Sequence, residues 1–130
     1  MHNNEQCHGR LPSGLTYQYQ PILAADRDRV FAYETLVRRE LRDGTIQGPG
    51  AFISQLLEPQ TVDLFTRYTL EFALDRLAQD SSLPALSVNL SPRQAEMAVT
   101  FAVLEKARPE VRQRLLIELT EDPIIDFGSL

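Results

Sequence analysis

Two five-residue runs, Leu86–Leu90 and Leu115–Leu119, alternate apolar side chains with an oxygen-bearing residue, and a stretch of helical character separates them. In a β-strand, successive side chains point to opposite faces. Leu86, Val88 and Leu90 therefore share one face, and Asn89 points the other way. Leu115, Ile117 and Leu119 oppose Glu118 by the same rule, and Phe31, Tyr33 and Val37 oppose Glu34 and Arg38. Strands joined through a helix pair in parallel, as βαβ units. Oxygen ligands repeated on like faces of several such strands predict one pocket, and hard cations such as Mg2+ require oxygen ligands held on a rigid frame.

The remaining elements follow from periodicity and breakers. Residues 17–22 alternate aromatic residues and glutamine, which fits a strand, and residues 31–38 form the next one. The connection between them is about six residues, too short for a parallel crossover, so these two strands are expected to form an antiparallel hairpin. Residues 43–50 carry Gly44, Gly48, Pro49 and Gly50 and read as a loop. Residues 51–57 form a short helix. Residues 61–78 form the clearest one, with Thr61 as its cap, a polar ridge of Arg67, Glu71 and Asp75, and apolar residues over most of the remaining circumference. Ser91-Pro92 opens a new turn, with Ser91 as cap, Pro92 at the first helical position, and Arg93 and Gln94 in the helix start. Residues 97–107 are helical.

The chain has 130 residues and a net charge of −5, which suits one soluble domain and argues against a general DNA or RNA binder. The single cysteine, Cys7, builds no disulfide framework. With His2 and His8 nearby it could join a metal cluster, but residues 1–14 read more simply as a flexible leader. No run approaches the roughly 18 apolar residues of a membrane span, and no signal-peptide core opens the chain, so a cytoplasmic location is expected.

Two architectures accommodate this pattern. In a closed parallel barrel, one strand face meets helices, the other faces inward, and reacting groups sit at the carboxyl ends of the strands. Asn89 and Glu118 are each next to last in their runs and one βα unit apart, so neighbouring strands would present them side by side. Glu34 and Arg38 share an inward face, and Gln20 has the same polar phase on the first strand. The alternative is an antiparallel sheet with one wet face, where such residues merely meet solvent.

Four segments then occur in order: Tyr19-Gln20-Pro21-Ile22, Tyr33-Glu34-Thr35-Leu36-Val37-Arg38, Leu86-Ser87-Val88-Asn89-Leu90-Ser91-Pro92-Arg93-Gln94 and Ile117-Glu118-Leu119-Thr120-Glu121. Together they resemble the front half of an EAL domain, the cyclic di-GMP phosphodiesterase family, from about Leu15 onward. The resemblance implies an α/β fold, a modified (β/α)8 barrel of TIM type with an antiparallel first strand pair. It implies hydrolysis of cyclic di-GMP to pGpG with Mg2+ or Mn2+ in a two-metal site. By resemblance, Glu34, Asn89 and Glu118 match metal ligands. Gln20, Leu36 and Arg38 match the substrate side, with Arg38 a phosphate contact, and Glu121 matches a residue supporting a loop over the metals. Two divalent ions can clamp the attacking and leaving oxygens of a phosphodiester, and a guanidinium adds a planar donor fork for phosphate.

The chain departs from the family pattern in two ways. Glu34-Thr35-Leu36 stands where the family name spells Glu-Ala-Leu, a mild change. A full barrel also needs about 200 residues or more, so residues 15–130 are expected to be its first half, truncated after about four strands. The family's later aspartate pair, catalytic lysine and last metal-binding glutamate are not among them. Asp126-Phe127-Gly128 follows Glu118 too closely to be that aspartate pair, and Asp126 reads as a helix-start residue. A half-barrel leaves an unpaired strand edge, which predicts a homodimer or larger assembly. The expected function is therefore an EAL-type phosphodiesterase domain, inactive as an isolated chain, or alternatively a non-catalytic cyclic di-GMP sensor or protein-interaction module.

Overall fold

The computed structural model describes residues 11–26 and 28–120. β1 (Leu15–Leu23) and β2 (Val30–Glu40) form an antiparallel hairpin, as the short connection requires. β3 (Ile46–Gln47) folds back onto Arg39 and Glu40 of β2. This small hairpin replaces part of the loop expected over residues 43–50, because a two-residue strand is too short to leave a periodic signal. β4 (Leu86–Leu90) and β5 (Leu115–Leu119) add in parallel, giving the order β1-β2-β4-β5. That parallel half removes the alternative of a wholly antiparallel sheet. The architecture is a mixed α/β sheet, part of a (β/α) barrel with an antiparallel first strand pair.

The helices cover one face of this sheet. α1 (Ile53–Leu56) and the long α2 (Val62–Gln79) precede β4, and α3 (Pro92–Ala95), α4 (Ala98–Lys106) and α5 (Pro109–Arg112) lie between β4 and β5. Leu86, Val88 and Leu90 of β4 are almost fully buried with Leu70, Ala73, Leu74 and Leu77 of α2 and Val99 and Val103 of α4. Arg67, Glu71 and Asp75 form the exposed ridge of α2. A second cluster joins Phe52, Ile53, Leu56 and Leu57 to Val62 and Phe65, with Leu11, Leu15 and Val37 against it.

The apolar faces read from alternation are buried at Tyr17 and in β4 and partly buried at Tyr33 and Val37 of β2, but Phe31 at the start of β2 is 56% exposed. Tyr17 and Tyr19 turn toward the helices and stack on Phe72 of α2. In β5, Leu115 packs against the larger cluster, but Ile117 is 36% and Leu119 64% exposed. No helix among the described residues follows β5 to cover them.

Three local devices fix the connections. Gly14, at φ +83°, lies so close to β2 that a Cβ would collide with the Glu40 carbonyl, so only glycine fits. Ser91 caps α3, as expected, and Gln94 completes a reciprocal capping box that the sequence reading did not single out. Thr61 does not cap α2 with its side chain, contrary to expectation. Its hydroxyl instead donates to the Gln55 carbonyl at 2.5 Å and ties α2 back to α1.

Candidate functional site

The strand register gathers the out-of-phase residues. Glu34 is aligned with Gln20 of β1 on one side and Ser87 of β4 on the other. Asn89 is aligned with Glu118 of β5. Directly aligned residues share a sheet face, so all of these side chains belong to the concave face opposite the helices. Asn89 Nδ2 donates to Glu34 Oε2 at 3.0 Å, across the seam between β2 and β4. Three chain segments far apart in sequence thus bring a carboxylate, an amide and a second carboxylate onto adjacent strands.

β2 and β4 pair only at Tyr33–Leu86 and Glu34–Ser87. Beyond this point they part, and a cavity of about 290 Å3 opens between them. Leu36, Arg38 and Asn89 line it, with Ile53, Phe65 and Gln94 among the other walls. Gln20, Glu34 and Glu118 do not line this cavity. Arg38 donates from Nε to Gln18 Oε1 at 3.0 Å and from Nη1 to the Val37 carbonyl at 2.9 Å. Gln18 is therefore a partner of the candidate phosphate-binding arginine that the sequence did not single out, although its alternation with Tyr17 and Tyr19 already placed it on Gln20's face. Glu121 and Asp126, like Cys7, His2 and His8, lie outside the described residues.

A buried hydrogen-bond network stands behind Asn89. Gln94, only 3% exposed, accepts from the Ser91 N–H through Oε1 and donates through Nε2 to Thr66 Oγ1 at 2.9 Å. Its backbone carbonyl accepts from the Thr100 hydroxyl at 2.7 Å. Sequence reasoning placed Gln94 in a helix start. Its link to Thr66 depends on tertiary packing. Nearby, the Tyr17 hydroxyl meets Thr69 Oγ1 at 2.6 Å. Burial pushes the Tyr17 phenol well above its ordinary value, the Thr69 hydrogen bond opposes this, and the neighbouring Tyr68 adds to it.

As a cation site, the concave cluster has the right chemistry and a short donor set. Carboxylate and amide oxygens suit a hard divalent ion, and adjacent parallel strands hold them rigidly. Among the described residues, however, no group of three or more His, Cys, Asp or Glu side chains comes together.

The fold and site define a class: a mixed α/β barrel segment with Glu34, Asn89 and Glu118 on one face of three adjacent strands. The chain belongs to the EAL domain family, whose profile matches residues 10–128. Solved structures of similar fold include the PaMucR phosphodiesterase in complex with c-di-GMP, with 23% identity and a TM-score of 0.69, covering 89% of this chain and 50% of that one. An EAL domain protein from Listeria monocytogenes EGD-e aligns with 18% identity and a TM-score of 0.71, covering 84% of this chain and 45% of that one. Bacillus subtilis YkuI, solved with substrate c-di-GMP and calcium, aligns with 23% identity and a TM-score of 0.58, covering 82% of this chain and 28% of that one. The chain spans half or less of the length of these three. No curated protein matches it.

Proposed function

We propose that this chain supplies the first half of a cyclic di-GMP phosphodiesterase site. The supporting observation is the convergence of Glu34, Asn89 and Glu118 on the concave face, with the Asn89–Glu34 contact of 3.0 Å at its centre. Glu34, Asn89 and Glu118 would hold Mg2+ or Mn2+ through oxygen. Gln20, Leu36 and Arg38 would face the dinucleotide, with Arg38 offering its guanidinium to phosphate. Glu121 would support a loop over the metals. When bound, such ions polarise a phosphodiester and lower the pKa of a coordinated water. Neighbours solved with c-di-GMP, and one with calcium beside it, support this choice of ligand and of cation class.

Residues 15–130 act in this reading as the N-terminal half of the domain, preceded by a leader over residues 1–14. The second wall of the pocket comes from strands beyond β5 or from a second copy of the chain docking along the β5 edge, where Ile117 and Leu119 are exposed. In this reading the isolated chain does not hydrolyse cyclic di-GMP. The alternative, a non-catalytic cyclic di-GMP sensor or protein-interaction module, is disfavoured by the presence of all three candidate ligands, Glu34, Asn89 and Glu118. Among the described residues no helix is long and apolar enough to cross a membrane, and we place the protein in the cytoplasm.

The test is calorimetric titration of cyclic di-GMP into the chain with and without Mn2+, with product analysis for pGpG. Binding that requires Mn2+ and is lost in Glu34→Ala supports the site. Sustained pGpG formation separates enzyme from sensor. Cyclic di-GMP binding indifferent to both Mn2+ and Glu34→Ala rules the site out.

A further inference from the structure

Ser87 is 1% exposed, and its hydroxyl has no hydrogen-bond partner among the described residues. An unpartnered buried hydroxyl is unfavourable, and alanine at the same place would avoid the loss. Thr35 carries the only other such oxygen among them, but it is aligned with Tyr19 on the helix-facing side. Ser87 is aligned with Glu34 on one neighbouring strand and Leu116 on the other. Its hydroxyl therefore lies on the concave face, directly beside the base of the Glu34 side chain.

Glu34 now takes the Asn89 amide N–H at 3.0 Å. That arrangement cannot persist around a cation. Hard cations are coordinated by oxygen, so Asn89 must turn its amide oxygen inward and its N–H away. The Glu34 carboxylate then loses its donor as it rotates toward the ion. Side chains aligned on adjacent strands have Cβ atoms about 5 Å apart, within reach of a glutamate's flexible stem. The strand register sets two donors beside Glu34, Gln20 on β1 and Ser87 on β4, and of the two only the Ser87 hydroxyl is buried and unpartnered among the described residues.

We propose that Ser87 is a positioning residue for Glu34, its hydroxyl taking the carboxylate when Asn89 releases it to bind a cation. The idea rests on the reading of Glu34 as a cation ligand. It gives an otherwise unfavourable buried hydroxyl a partner when Glu34 turns toward a cation.

A double-mutant cycle without metal tests the partnership. Ser87→Ala should raise the melting temperature of the native chain by a few degrees, because it deletes an unpartnered hydroxyl. In an Asn89→Ala background, where Glu34 has lost its amide donor, the same change should lower it. Ser87→Thr, which keeps the hydroxyl, should preserve the native behaviour in both backgrounds. In parallel, Mn2+ titration should show several-fold weaker binding in Ser87→Ala than in the native chain and recovery in Ser87→Thr. This arm decides the matter even if Asn89→Ala does not fold. An additive cycle, or equal Mn2+ affinity in native and Ser87→Ala chains, overturns the role of Ser87 while leaving the cation site intact. No Mn2+ binding by the native chain overturns the cation reading itself, and this role with it.

Discussion

Asn89 Nδ2 lies 3.0 Å from Glu34 Oε2, so a neutral amide bridges β2 and β4 where a second carboxylate would repel. Replacing that amide by a carboxylate tests the electrostatics of the site. Asn89→Asp should destabilise the metal-free chain at pH 7 by about 1–2 kcal/mol, because two like charges then face each other at a half-exposed position. Mn2+ should stabilise the variant more than the native chain, measured as the cation-induced rise in melting temperature.

Tyr17 predicts a pH dependence. Burial raises its phenol in the folded state, so above the ordinary tyrosine value of about 10 the unfolded chain releases a proton that the folded chain keeps. The unfolded state then binds fewer protons, and stability falls as pH rises. The stabilising contribution is complete below about pH 10 and is lost above it. Tyr17→Phe should flatten this alkaline fall in urea unfolding monitored from pH 8 to 11. At pH 7 it should cost about 1 kcal/mol, because Thr69 loses its partner.

Arg114 clasps the end of α2. Its guanidinium donates to the carbonyls of Leu77, Asp80 and Leu83 at 2.9, 2.8 and 2.7 Å. Arg114→Met should cost about 2–3 kcal/mol in urea unfolding, since three carbonyls lose a charged donor. Arg114→Lys should recover only part of this, because one ammonium cannot reproduce the planar fork. Full stability in Arg114→Lys would mean that a single charge suffices there.

The exposed end of β5 predicts assembly. Leu119 is 64% exposed on a strand with no partner on its outer side among the described residues. Leu119→Lys should change folding stability by less than about 0.5 kcal/mol yet weaken self-association, because a charge on an edge strand opposes pairing. Sedimentation velocity over a concentration series reads both chains. A native chain that stays monomeric at every concentration removes the assembly reading.

Much of the frame was legible where a local rule is strong. Leu86–Leu90 and Leu115–Leu119 are strands over the residues that alternation marks, and Ser91 caps α3 with Pro92 behind it. The antiparallel first pair followed from the length of its connection alone. Weak local signals failed. Ile46–Gln47 pairs with β2 although nothing in two residues distinguishes a strand from a loop. Thr61 looked like a cap, but its hydroxyl found the Gln55 carbonyl, an acceptor brought near only by the turn from α1 to α2. Alternation set the phase of Ile117 and Leu119 correctly, but their burial depends on what packs against β5.

The sequence by itself determined which residues oppose the apolar face of each strand, because a period of two is a property of the backbone. That put Glu34, Asn89 and Glu118 on like faces. It also carried the ordered motifs by which the family was first suggested. The tertiary structure decided how those faces meet: the register that sets Glu34 beside Ser87 and Asn89 beside Glu118, the parting of β2 from β4 that opens the cavity, and the Gln94–Thr66 bond behind it. These depend on contacts between residues distant in the chain, fixed only when the helices press the strands together and every buried polar group competes for a partner.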